Sequence, residues 1–195
     1  MRPAAQAPSP LRTGPAHARL RAATADLHAG LDDMFAGGLD SPCGYRRYVL
    51  GMHRFALDYE VAVGSPPRHS AWLASDLHSL SLAPLPALGV QRPAPLASMR
   101  LGWHYVMAGS SMGARSLLRD ALRLGYRDGH GATFLARHAA SDEWDVLRER
   151  LQALDPADAP RMAEAEAGAR AAFGLVQDCL RRSFDHIPLE PEPCR

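Results

Sequence analysis

A chain of 195 residues, 47% hydrophobic and 22% charged, has the material for one domain with a sizeable core. Its net charge of +1 gives no electrostatic case for nucleic acid or an acidic membrane surface as partner. All 22 basic residues are arginine, which excludes a lysine nucleophile or Schiff base. The three cysteines, Cys43, Cys179 and Cys194, form no C-x-x-C. With no apolar leader at the N-terminus, they point to a reducing cytoplasm. No apolar run reaches the roughly 18 residues that a membrane span requires.

Residues 1–14 are rich in proline and alanine and are expected to be disordered. A helical domain is expected over 15–186, with a loose proline-containing tail over 187–195. The first helix is expected over about 15–36, ending at Gly37-Gly38. Ser41-Pro42 supplies an N-cap and a proline at the first helical position, opening a second helix that runs to about Val63. Gly64-Ser65-Pro66-Pro67 breaks it. A pair of short helices is expected over roughly 68–80, and a loop from Leu82 to Pro95. A long helix follows over about 96–124. Two more are expected over about 130–139 and 142–154, the latter capped by Ser141 with Asp142 and Glu143 in its first turn. The last helix spans about 158–184. No segment alternates with period two, so the fold class is all-α, a single-domain helical bundle.

Two stretches carry chemistry. In the first helix, Leu20, Leu27, Leu31 and Phe35 recur at helical spacing, with Thr24 and Met34 on the same face. Arg21, His28 and Asp32 fall together on its flank, within about 40° at roughly 100° per residue. His28 and Asp32 form an (i, i+4) pair in which the carboxylate accepts the ring Nδ1–H. Nε2 is then left free and unprotonated, as in a metal-ligating imidazole. A half-buried histidine satisfied by a neighbouring acid has the same pattern.

The second stretch runs from Gly102 to Arg115 in the long helix. Each glycine in a helix interior costs about 1 kcal/mol relative to alanine. Gly102, Gly109, Gly113 and Ser116 make one stripe of almost no side-chain volume. Either a neighbouring helix crosses there or a flat ligand lies on the backbone. A planar macrocycle held between the two stretches would take one axial imidazole and keep an open face for oxygen.

With these residues the chain resembles the haem oxygenase family, most closely its bacterial, biliverdin-producing branch, the kind associated with bacteriophytochromes. The proximal pattern L-[KR]-x-x-T-x-x-[LV]-H-x-x-x-[DE] is matched by Leu20, Arg21, Thr24, Leu27, His28 and Asp32. The distal pattern Y-V-x-x-G-S-x-x-G is matched by Tyr105, Val106, Gly109, Ser110 and Gly113. Tyr45, Tyr48 and Glu60 of the second helix also look like their family counterparts, and the likeness runs from about Leu20 to Phe184.

The resemblance implies an all-α haem oxygenase fold and oxidative opening of haem to biliverdin, carbon monoxide and ferrous iron. It makes His28 the axial iron ligand and Asp32 the partner that orients it. Gly109 and Gly113 become the glycines on which the haem lies, with Tyr105 and Thr24 beside it and Ser110 a support for distal water. Arg21 would meet one haem propionate. Arg181 or Arg182 of the last helix, with Arg170 a weaker candidate, would meet the other. Dioxygen is the oxidant, and a reductase or ferredoxin the electron donor. A bacteriophytochrome is a further expected partner, as recipient of biliverdin. Ala108 departs from the glutamate that many bacterial members carry, Ser110 from the animal aspartate, and Ala114 from a further glycine. The alternatives are a haem carrier or sensor on the same fold, which Ala108 favours, and a helical interaction module without haem. A di-iron protein of the same superfamily would need Glu-x-x-His, which is absent. Cys43 lacks a paired base and reads as inert. His53 reads as core-edge and His104 as turned away from the glycine stripe. His17, His69, His78, His130, His138 and His186 read as surface or loop residues, and Trp103 and Trp144 as packing anchors.

Overall fold

The computed structural model describes residues 14–35, 39–87 and 96–187. The expectations for the N-terminal segment, for Gly37-Gly38, for 88–95 and for the tail beyond Ile187 fall outside them. The described residues form eight helices, α1 (Pro15–Ala23), α2 (Ala25–Met34), α3 (Pro42–Val63), α4 (His69–Ser79), α5 (Ala97–Arg123), α6 (Thr133–Ala139), α7 (Glu143–Gln152) and α8 (Ala159–His186). Two isolated bridges close the turn between Arg127 and Gly131. Among the described residues there is no strand, and no helix is long and apolar enough to cross a membrane. The fold is all-α, as expected.

The two longest helices, α5 and α8, form the most extensive packing in the molecule, and α3 lies against α8. Glycine sets both crossings. A Cβ on Gly102 would fall 2.0 Å from the Ala165 carbonyl oxygen, and one on Gly168 would fall 2.1 Å from that of Met99. A Cβ on Gly51 of α3 would come within 3.0 Å of the Leu180 backbone. The core fills the space between these helices with Tyr45, Leu50, Phe55, Met107 and Leu175, all buried. Buried Tyr45 donates its hydroxyl to the Gly131 carbonyl at 2.7 Å and stacks on Tyr126.

Local chemistry explains most helix ends. Ser41 Oγ accepts the Gly44 N–H at 3.1 Å, and Gly64 closes α3 at φ +70°, the left-handed conformation glycine tolerates. Asp158 caps α8 through Arg161 N–H. Two helices are capped from a distance instead, by acids on other helices. Buried Glu60 of α3 accepts the N–H groups of Arg68 and Ser70 at the start of α4, at 2.8 and 3.1 Å. Buried Asp76 of α4 accepts those of Thr133 and Phe134 at the start of α6, at 2.7 and 2.8 Å. These bonds satisfy orphan donors that would otherwise be buried unpaired.

Three expectations need correction. The single first helix is two, broken at Thr24 (φ −121°, ψ 7°), whose hydroxyl donates to the Leu20 carbonyl at 2.8 Å. Back-bonding of this kind competes with helical geometry. The pair of short helices over 68–80 is one helix, α4, because the Glu60 cap lets it start at His69. Ser141 does not cap α7. Its hydroxyl donates to the His138 carbonyl at the end of α6, and the N-cap position belongs to Asp142.

The crossing predicts a clear asymmetry among glycines. Gly102→Ala should destabilise the protein by about 3 kcal/mol, because the new methyl meets backbone that has nowhere to go. Gly113→Ala, with nothing within 4 Å of its Cβ, should stabilise it by about 1 kcal/mol. Denaturant unfolding of both variants checks the sign of each effect.

Candidate functional site

The His28 and Asp32 pair is formed as the spacing requires. Nδ1 of His28 lies 3.1 Å from Asp32 Oδ2, leaving Nε2 without a partner among the described residues. The His28 side chain is 64% exposed, and α2 has no fully buried residue. Leu27, Leu31, Met34 and Phe35 only half-bury their apolar face against the core. The helix rests on α8 rather than on α5. The His28 ring stands edge-on to Phe173 at 5.9 Å, and Gln177 donates to the Leu27 carbonyl at 3.0 Å. An amphipathic helix that buries only one edge of its apolar stripe leaves the rest for a ligand.

The glycine stripe of α5 divides into two functions. Gly102 belongs to the crossing with α8, so the neighbouring-helix reading holds there. It does not hold further along. A Cβ on Gly109 would meet only Trp144 Cζ3, at 3.7 Å, and one on Gly113 nothing within 4 Å. Helix packing therefore accounts for Gly102 and leaves Gly109 and Gly113 without a structural reason.

One end of this region is closed by side chains from three helices, α1, α5 and α7. Burial raises the Tyr105 pKa, opposed by the Thr24 hydroxyl at the break between α1 and α2 and by the Arg21 charge. His17 packs against Tyr105 and Trp144, with ring centroids 5.9 and 5.4 Å apart. Burial, with the nearby Arg21 charge, lowers the His17 pKa and favours the neutral ring. His17 is thus a packing residue of this wall rather than a free surface histidine, and Trp144 is both a packing anchor and the nearest neighbour of Gly109. Arg21 lies beside a depression of about 300 Å³ lined by His17, Ala18, Ala22 and Ala25. It forms no ion pair among the described residues.

The candidates on α8 differ in their commitments. Arg170 bonds the Ala23 carbonyl and pairs with Asp26 at 3.6 Å. Arg182 donates to the Pro86 carbonyl at 2.7 Å. Arg181 is exposed, pairs with Asp178 and donates to Gln177 Oε1 at 3.3 Å, both on its own helix. It follows Gln177 by one turn, on the side that faces α2. Ser110 turns its hydroxyl toward α6, donating to the Met107 carbonyl at 2.7 Å and lying 2.9 Å from His138 Nε2. Ala108 and Ala114 are buried.

Behind α5 lies a polar cluster with no motif in the sequence. His69 is 5% exposed and His138 fully buried, so the surface reading of both is corrected. His69 opens α4, whose first turn the Glu60 cap holds inside, and His138 lies in the last turn of α6, stacked on Phe134. His69 Nε2 lies 3.0 and 3.1 Å from the two oxygens of Glu143. Burial raises the Glu143 pKa, but the His69 hydrogen bond and nearby positive charges outweigh it and hold the carboxyl low. Burial, then the neighbouring His69, pushes His138 down to about 4. Glu143 had the sequence signal of an acid at a helix N-terminus, which says nothing of two histidines brought to it by other helices. His104, half-buried, meets the Tyr59 hydroxyl at 2.8 Å. His53 is buried, and His78, His130 and His186 are exposed as expected.

No family model and no curated protein matches this chain. Among solved structures it is similar to a heme oxygenase from Neisseria meningitidis, determined in its NO- and CO-bound forms. The two share 28% identity and a TM-score of 0.65, over 90% of this chain and 94% of that one. The fold is the all-helical heme oxygenase fold.

The geometry predicts what leucine does on α5. Gly113→Leu should leave the ligand-free protein as stable as before or slightly more so, since leucine is the better helix former. Had a helix crossing claimed this position, overpacking would cost about 1–3 kcal/mol. Chemical denaturation of the ligand-free variant distinguishes the two.

Proposed function

We propose that this chain is a haem oxygenase that opens haem to biliverdin, carbon monoxide and ferrous iron, using dioxygen and electrons from an external reductase or ferredoxin. The observation that carries the reading is the pairing of an oriented, exposed imidazole on α2 with two helix-interior glycines on α5 that packing does not require. The likeness to the Neisseria heme oxygenase supports it independently. The residues fit the group. His28 presents Nε2 with Asp32 on its other nitrogen, and Gly109 and Gly113 offer bare backbone to a flat ring. Arg21 has no competing ion pair among the described residues.

When bound, haem supplies the iron that activates dioxygen and the meso carbon that is oxidised. The work of the chain is to hold and orient. His28 binds through Nε2 as neutral imidazole, and Asp32, accepting Nδ1–H, fixes the ring plane and raises its basicity. This ligand lacks the strong electron push of a thiolate. Gly109 and Gly113 let backbone approach the ring, where any Cβ would hold it off. Arg21 and Arg181 would hold the two propionates and so fix the orientation of the ring. Ser110 Oγ, donating to Met107 and accepting from His138, keeps one lone pair for an ordered water. The Trp144, Tyr105 and His17 wall excludes bulk solvent from one end. The setting we assign is a bacterial-type enzyme in the cytoplasm, with a bacteriophytochrome as a recipient of biliverdin.

A haem carrier is the second reading, favoured by Ala108 and by the commitment of the Ser110 hydroxyl to His138. Incubating the haem-loaded protein with a reductant under oxygen separates them. An enzyme proceeds to biliverdin, and a carrier stops at a ferrous dioxygen adduct or bleaches.

Two variants test the proximal side. His28→Ala should abolish biliverdin formation with the helical content unchanged, because the side chain is largely exposed and its ring meets the core only at the edge of Phe173. Full biliverdin yield would remove His28 as ligand. Asp32→Ala should lower haem affinity or turnover by about 10–100-fold, read by haem titration and single-turnover absorbance. An unchanged rate would make Asp32 a surface acid only.

A further inference from the structure

The cluster behind α5 has more acceptors than donors. Met107 O accepts, so the 3.2 Å approach of His138 Nε2 to it places the ring proton on Nε2, which also serves Ser110 Oγ. His138 Nδ1 is then a bare lone pair, fully buried and without a hydrogen bond. It faces Glu143 Oε2 at 3.8 Å, an acceptor opposite an acceptor. His69 carries one ring proton for two carboxylates, Glu143 at Nε2 and Glu60 at Nδ1. Its Nδ1 is buried without a hydrogen bond, 3.7 Å from the carboxylate of Glu60, while Nε2 meets Glu143. The bare His138 Nδ1 and the Glu143 carboxylate repel unless a cation lies between them, and a cation there would leave the His69 ring proton to Glu60.

We infer that His69, His138 and Glu143 form a binding site for a divalent transition-metal ion of the zinc class. The three ligand atoms lie within 4.8 Å of one another. That spacing is within small side-chain rotations of the roughly 3.3 Å edge of a tetrahedral site with bonds near 2.0–2.1 Å. Two imidazoles and one carboxylate suit zinc, whereas calcium and magnesium take oxygen ligands and copper(I) takes thiolates. Each histidine already has the outer partner that ligating imidazoles use. His138 donates Nε2–H to the Met107 carbonyl, and His69 turns Nδ1 toward Glu60. A cavity of about 400 Å³ lined by Tyr59, His69, His104 and Glu143, among others, opens on the cluster and leaves room for water in the fourth position. The Arg68 guanidinium touches Glu143 Oε1 at 2.6 Å from the exposed side and leaves Oε2 to the ion. An ion here ties α4, α6 and α7 together and, through His138 and Ser110, braces α5 beside Gly109. The site lies apart from the haem ligand and does not depend on the proposed function.

The test uses the full chain without haem, stripped with a chelator and titrated calorimetrically with zinc chloride. One ion per chain should bind, and the unfolding temperature should rise by about 5 °C or more at a hundredfold excess over Kd. Cobalt(II) should give intense visible bands of a four-coordinate nitrogen and oxygen site. Glu143→Gln, which keeps the shape of the cluster, should weaken binding by about 100-fold or more. Glu60→Gln should weaken it by about 10-fold through His69. His28→Ala should bind zinc as the unmodified chain does, separating this site from the exposed His28 and Asp32 pair. Absence of a one-to-one site, or affinity unchanged by Glu143→Gln, overturns the inference. So does a cobalt spectrum of purely octahedral oxygen type. Any of these three failures leaves the haem reading untouched.

Discussion

The contact on which the rest depends is the backbone-to-backbone crossing of α5 and α8 at Gly102 and Gly168. The axes come so close that a methyl group on either glycine would sit about 2 Å from a carbonyl oxygen of the other helix. Such a crossing allows little sliding or rotation, since any side chain would separate the helices. It fixes which side of α5 faces α8 at its N-terminal end and therefore how Gly109 and Gly113 present themselves further along. α8 also carries α2, through Phe173 against His28 and Gln177 on the Leu27 carbonyl. One helix thus supports both the imidazole of α2 and, through the Gly102 crossing, the helix that carries the open glycines, without α2 packing extensively on α5.

The remaining short helices solve a different problem. α4 and α6 begin inside the protein, where their first N–H groups have no water, and buried acids on α3 and α4 accept them. The Glu60 cap holds His69 inside with the start of α4, and His138 follows at the far end of α6, stacked on Phe134, so both meet Glu143. The result is an interior rich in lone pairs directly behind the segment of α5 that carries Ser110. A frame built in this way couples the support of the distal helix to whatever neutralises that cluster.

How much of this was legible in the sequence follows from the range of each interaction. The limits of α3 were readable because Ser41, Pro42 and Gly64 act on their own backbone. The His28 and Asp32 bond was readable because it spans one helical turn. The single helix over 68–80 was not, since the group that starts it is Glu60, on another helix. Thr24 was recognised as part of a pattern, while its back-bond to Leu20, which splits the first helix, is one of several conformations a threonine can take. Gly102, Gly109 and Gly113 are indistinguishable by rotation count. Only the position of α8 shows that the first packs against a helix and the others do not. His69 and His138 gave no signal at all, because they join Glu143 from three separate elements.

The central claim is that a flat ligand lies between α2 and the middle of α5. Amide hydrogen exchange with and without one equivalent of haem tests this most directly, because it locates the bound group without assuming any chemistry for it. Exchange should slow over residues 25–34 and 106–114, with α4, α6 and α7 little changed. Protection confined to other helices, or none despite saturating haem, would contradict it.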